Sequence, residues 1–291
     1  MASSKIMDGA MGSELIRQGL ELPERIWSAD VNLSHPELVL EIHREYVEAG
    51  ADYITANTFR TTPRPYSKGD RKQEAEKRAK ESMKIAVENA KEAAGDFVKV
   101  LGSIAPLEDC YSPEMFPGKE TAIAEFRQLG GWLADTGVDI LLLETMNSIA
   151  ETEGGLIALQ DFELPLWVSF VLKDDTHLLS GDKLVDALIL IQNYPVEMVL
   201  LNCNPLQRTE NALIHLAENW VGKWGIYPNL GIGEPSPDGR ITEYESMGNF
   251  IAVLENAIKM GASVVGGCCG SSPEHIKNLR SLDSEAIKMN I

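Results

Sequence analysis

Histidine is scarce in this chain. Only five occur in 291 residues, none in an H-x-H or H-E-x-x-H pattern, so the usual ligand set of a metallohydrolase has nothing to build on. Positive charge is also in short supply. Against 44 acidic residues stand 26 Lys and Arg, a formal net charge of −18 that argues against nucleic acid or an anionic membrane surface as partner. No apolar run approaches membrane-spanning length. The first residues enter a strand-like segment with no signal-peptide hydrophobic region. With only four cysteines, that pattern points to reduced thiols in the cytoplasm. No Gly-x-Gly-x-x-Gly follows the first strand-like run, which disfavours a doubly wound dinucleotide fold. No linker, repeat or low-complexity tract divides the chain, so residues 1–291 read as one domain.

What is present is concentrated near the carboxyl end, in Gly266-Gly267-Cys268-Cys269-Gly270. Adjacent cysteines are poorly placed for a disulfide, because the bond geometry strains a vicinal pair. They suit a metal, since two thiolates at a glycine turn can face one ion. A third thiolate, Cys203 in Asn202-Cys203-Asn204-Pro205, would complete a site with three protein ligands and an open position. Zinc in such a site is catalytic, whereas a closed structural site needs a fourth ligand and tight C-x2–4-C spacing, both lacking here. Cys110, in Asp-Cys-Tyr-Ser-Pro, has no partner by spacing and reads as a bystander.

Eight β-rich runs alternate with helical periodicity. They lie at residues 5–8, 52–57, 98–103, 139–144, 166–171, 198–203, 224–229 and 262–268. Most are continuously apolar, as in parallel strands covered on both faces. Between them, Ala75, Ala79, Met83, Val87, Ala90 and Ala94 mark one face of a long charged helix. Capping boxes are expected at Ser34/Glu37, Thr242/Glu245 and Ser271/Glu274. The alternation and the length predict a single (β/α)8 barrel. The stretch from Pro106 to Lys119, with three prolines, is expected to lie over one barrel end.

Asp8, Asn57, Ser103, Glu144, Cys203, Asn229, Cys268 and Cys269 all fall at carboxyl ends of these runs, the face where such barrels place their active sites. Each also has a plainer reading. Asp8 could cap the Gly9 turn, and Asn57 and Asn229 could only bridge loops. Glu144 could satisfy backbone amides, pair with an arginine, or receive a substrate ammonium, and Cys203 alone could be an inert buried thiol. Zinc among thiolates is electron-rich and suits one task above others, which is to bind a substrate thiol as thiolate at neutral pH. The bound sulfur could then take a methyl group from an onium donor.

Here the chain resembles the zinc-dependent homocysteine S-methyltransferases. The similarity runs nearly end to end. It is carried by Asp8-Gly9-Ala10-Met11-Gly12, Trp27, Ala56-Asn57-Thr58-Phe59, Gly102-Ser103-Ile104-Ala105-Pro106 and Leu143-Glu144-Thr145. Asn202-Cys203, Tyr227-Pro228-Asn229 and the Gly-Gly-Cys-Cys-Gly turn complete it. The resemblance implies a (β/α)8 barrel with zinc on Cys203, Cys268 and Cys269. It makes Asp8 and Glu144 the residues that orient the amino group of homocysteine. It places Asn229 where an amide approaches the metal, and Trp27 and Phe59 near the methyl donor, where aromatic faces suit an onium ion. Asn57 and Ser103 join them as substrate-binding candidates.

The chain departs from the family pattern at Ala10, Leu200 and Ala105, where glycines are usual. The added bulk is expected to narrow the acceptor pocket or shift its backbone contacts. The expected partners are therefore a small thiol and a methyl donor: S-methylmethionine, S-adenosylmethionine or betaine. The barrel leaves no length for cobalamin and folate domains. The alternatives are another small thiol acceptor, a partner-delivered methyl donor, or a zinc- or thiol-sensing protein without turnover.

Overall fold

A computed structural model of the chain describes residues 4–23, 25–67, 71–232 and 240–289. Eight parallel strands run β1 Lys5–Ile6, β2 Tyr53–Ala56, β3 Lys99–Ile104, β4 Ile140–Met146, β5 Leu166–Phe170, β6 Val196–Asn202, β7 Lys223–Tyr227 and β8 Val264–Val265. Each pairs with its sequence neighbour, and β8 pairs with β1. Between β1 and β2 the ring is closed by the Met7–Tyr53 bridge and by the Asp8 amide donating to the Tyr53 carbonyl at 2.9 Å. The result is a single (β/α)8 barrel.

The first helices are α1 Met11–Arg17, α2 Val31–Ser34, α3 Pro36–Glu48, α4 Pro63–Ser67 and α5 Lys72–Ala94. They are followed by α6 Lys119–Thr136, α7 Ile149–Leu159, α8 Leu184–Ile191, α9 Leu206–Asn219, α10 Met247–Lys259 and α11 Pro273–Met289. The expected apolar face of α5 is buried along its whole length, from Ala75 to Ala94. None of the described helices is long and apolar enough to cross a membrane.

None of the three capping boxes forms. Ser34 closes α2, its hydroxyl donating to the Asp30 carbonyl, and α3 starts after His35 with Pro36 at its head. α10 starts at Met247, where Ser246 rather than Thr242 accepts from the Asn249 amide at 3.1 Å. Ser271 turns back toward β1, accepting from the Ala10 amide and donating to the Cys268 carbonyl, and α11 starts two residues later. Ser34 spends its hydroxyl on the preceding turn and Ser271 on β1 and the cysteine turn, so neither caps the helix that follows.

Side-chain alternation divides the core in two. Outward residues such as Val100, Leu141, Leu143, Val168, Val199 and Ile226 pack beneath the helices. Inward residues form a separate cluster of Met7, Leu101, Leu142, Trp167, Leu200 and Tyr227 with their neighbours. Two residues further along several strands the inward positions turn polar: Ser103 above Leu101, Glu144 above Leu142, Ser169 above Trp167 and Asn202 above Leu200. With period-2 geometry, this change of residue type alone sets a polar layer on an apolar floor.

Candidate functional site

The carboxyl-terminal face opens into a cavity of about 920 Å³. Asp8, Glu144, Cys203, Cys268, Cys269 and Tyr227 all line it. The strand ends that the sequence singled out therefore meet at one place.

The three cysteines converge. Their sulfurs lie within 4.8 Å of one another, with Cys203 Sγ 2.8 Å from Cys268 Sγ and 4.0 Å from Cys269 Sγ. Cys203 reaches inward because its backbone takes a left-handed turn, φ 53°, directly after β6. The Cys268-Cys269 turn is held from three sides. Ser271 bonds the Cys268 carbonyl, Ser13 accepts from the Gly270 amide, and the Cys269 carbonyl accepts from Leu230. Gly270 carries φ 85°, a conformation that a side chain would strain. Hydrogen bonds from Cys203 and Cys268 pull the Cys269 thiol down, and the same bonding pushes Cys203 up. Against the hydrogen bond from Cys203, which lowers it, the bond from Cys269 and burial push Cys268 up, so a soft cation would be needed to hold all three as thiolates. Asn229 fits such an ion as well: its amide nitrogen donates to the Cys203 carbonyl at 3.0 Å, and its buried Oδ1 lacks a hydrogen-bond partner. Among the described residues, this trio is the single group of metal-ligating side chains so arranged.

The two carboxyls are built differently. Asp8 Oδ2 accepts from the Thr55 amide at 2.8 Å and Oδ1 from the Thr55 hydroxyl at 3.2 Å. Glu144 accepts from the Ser103 and Tyr227 hydroxyls, the latter at 3.1 Å. Neither has a basic partner among the described residues. Burial pushes both carboxyls up, and the Glu144 charge raises Asp8 further, well beyond the ordinary carboxylate range. An ammonium placed between them would reverse that cost.

The remaining predicted residues divide. Trp27 and Phe59 line the cavity. Trp27 sits at φ 53°, its indole against Gly12, where a Cβ would come within 2.8 Å of the ring. Asn57 also faces the cavity, but its amide is fully engaged, donating to Asn32 Oδ1 and the Ser28 carbonyl and accepting from the Ser28 hydroxyl. It fixes the turn that carries Trp27. Ser103 and Asn229 are not on the wall; Ser103 stands behind Glu144 and Asn229 behind Cys203.

Of the substituted glycine positions, Ala10 lines the cavity, while Leu200 and Ala105 do not. Leu200 points into the apolar floor, where Gly225 makes room: a Cβ on Gly225 would lie 2.9 Å from Leu200 Cδ2. The expected narrowing of the pocket therefore does not extend to Leu200 or Ala105.

The stretch from Pro106 to Lys119 does cover the barrel mouth, giving Leu107, Glu108, Asp109, Cys110, Tyr111 and Met115 to the wall. Cys110 is buried there, its thiol pushed up to about 12, and stays outside the metal-ligating trio. Sequence reasoning missed Tyr227 and Tyr111 as wall residues. It also missed five cations there: Arg25, Arg60, Arg64, Lys173 and Arg208. Tyr227 could have been found, since it sits two residues before Asn229 at a strand end. Arg25, Arg60 and Lys173 come from loops, Arg64 from α4 and Arg208 from the first turn of α9, and none carries a local signal.

Comparison with known proteins agrees with this geometry. Residues 5–282 match the model of the family described as homocysteine S-methyltransferase. A homocysteine S-methyltransferase of Escherichia coli (strain K12) is 31% identical, the match covering 95% of this chain and 94% of the relative. A selenocysteine Se-methyltransferase of Brassica oleracea var. italica is 27% identical over 94% of this chain and 86% of the relative. The metallated form of the Escherichia coli homocysteine methyltransferase MmuM superposes with a TM-score of 0.83 at 28% identity, covering 96% of each chain. The chain belongs to the homocysteine S-methyltransferase family.

Proposed function

We propose that this protein uses zinc, held by Cys203, Cys268 and Cys269, to move a methyl group from an onium donor to homocysteine, giving methionine. Three converging thiols beside two buried carboxyls that lack a basic partner among the described residues are the observation that carries the reading. Zinc in that thiolate set supplies acidity, so that the acceptor thiol loses its proton at neutral pH. Asp8 and Glu144 receive the acceptor's ammonium and fix the sulfur in position, while Ser103 holds Glu144 from behind. Trp27 and Phe59 offer aromatic faces to the donor's positive centre. The acceptor sulfur displaces the donor's neutral thioether or amine in line as the methyl carbon changes partner. S-methylmethionine, S-adenosylmethionine and betaine all carry a carboxylate, which the cationic side chains of the wall suit. All four cysteines are free thiols, which suits the cytoplasm.

A second reading keeps the chemistry and changes the acceptor to a small selenol or another thiol. The similarity to the selenocysteine Se-methyltransferase favours it. One experiment separates the readings: quantify bound metal, then supply homocysteine, selenocysteine and other small thiols with each donor. Methionine formation by zinc-loaded protein is the expected result. Stoichiometric zinc without methyl transfer to any acceptor would leave a sensing protein instead.

A further inference from the structure

Glu144 accepts from two hydroxyls on different strands, Ser103 on β3 and Tyr227 on β7. Tyr227 is buried, and its hydroxyl lies 3.1 Å from Glu144 Oε1 and 2.8 Å from Ser169 Oγ. It has one proton and two acceptors in reach. An ionised carboxylate can only accept, whereas a serine hydroxyl can turn its own proton toward the tyrosine oxygen. Ser169 is itself fixed, since its oxygen accepts from the Thr145 amide at 3.1 Å. The protons therefore run one way, from Thr145 through Ser169 and Tyr227 to Glu144. Tyr227 also faces Asn202 across the β6–β7 register, one residue before Cys203. One side chain thus spans the carboxylate and the strand end that carries a thiol ligand.

We propose that Tyr227 is a positioning residue for the acceptor: anchored on Ser169, its hydroxyl holds the Glu144 carboxylate in the orientation that receives the amino group. The inference rests on the reading of Glu144 given under the proposed function. The role of Tyr227 is directed to the amino group, because its hydroxyl bonds Glu144 and Ser169.

The test compares homocysteine with its desamino analogue, mercaptobutanoate, in wild type, Tyr227→Phe and Ser169→Ala, with zinc content measured for each. Tyr227→Phe is expected to raise the KM for homocysteine about tenfold, the worth of one hydrogen bond to a charged group. The KM for mercaptobutanoate, the KM for the donor and the zinc content should not move. Ser169→Ala removes the anchor and should raise the KM for homocysteine by a smaller factor, about threefold, again without moving that for mercaptobutanoate. Equal effects of Tyr227→Phe on both thiols, or no effect on either, would overturn the proposal. Should Tyr227→Phe fail to fold, Ser169→Ala decides: a loss confined to homocysteine supports the proposal, and an unchanged KM or an equal loss on both thiols overturns it. A wild type that does not distinguish the two thiols would instead refute the assignment of Glu144.

Discussion

The floor and the upper layer of the barrel interior are made by the same strands, two residues apart, and answer to different demands. The floor, with Leu101, Leu142, Trp167 and Leu200, is apolar and fully buried. The layer above it, with Ser103, Glu144, Ser169 and Tyr227, is equally buried but held by side-chain hydrogen bonds. Burial is therefore not what separates structure from function here. The floor gains by excluding water, whereas the upper layer carries unfavourable carboxyls that only a cationic ligand relieves. Substitutions in the two layers should separate stability from acceptor recognition.

The largest break should come at the thiols above both layers. Cys268→Ser is expected to cost more than about 100-fold in activity and to lose the metal, read by metal analysis of the purified variant. Retention of stoichiometric zinc would refute the ligand assignment. In the floor, Leu142→Ala should lower stability by about 3–4 kcal/mol in denaturant unfolding. Its KM for the acceptor should stay within twofold of wild type.

Acid separates stability from binding through different groups. His43 on α3 is buried with both ring nitrogens unpartnered, and burial lowers its pKa to about 4. Above pH 6.5 it is neutral in both folded and unfolded chains. As pH falls from 6.5 to 4 the unfolded chain takes up a proton that the folded one refuses. Stability should then drop by about 3 kcal/mol and level off below pH 4. His43→Phe should remove that acid-dependent portion of the unfolding free energy.

The smallest expected effect sharpens the upper layer. Glu144→Gln should raise the acceptor KM about 30-fold, roughly 2 kcal/mol, with little change in unfolding midpoint. In wild type, acceptor affinity should rise with pH as the raised Glu144 and Asp8 carboxyls ionise. In Glu144→Gln that rise should shrink to the part contributed by Asp8. A variant with an unchanged pH profile would show that the amino group is bound elsewhere.

The barrel was legible because its strands are long apolar runs whose chemistry changes abruptly at one end. Glu144 after three leucines and the paired cysteines after Val264-Val265 both mark such an end. The helix starts were not legible, because Ser34 closes the preceding turn, Ser246 caps α10 in place of Thr242, and Ser271 is drawn away to Ala10. Leu200 was misread for a related reason. Its place in a motif drew it toward the pocket, while strand alternation sets it in the floor against Gly225. The wall contributed by residues 107–115 could be anticipated as a cover, but not which of its side chains face inward.

Among the described residues, three that are not glycine hold left-handed backbone: Trp27 at φ 53°, Thr145 at φ 60° and Cys203 at φ 53°. All three line the cavity, and Thr145 directly follows Glu144. Glycine would adopt these conformations without strain. Such a replacement would relieve that strain but take away an aromatic wall, the buried Asn202–Thr145 hydrogen bond or a metal ligand in turn. The mouth of the barrel therefore keeps its backbone strain where a side chain has work to do at the same position.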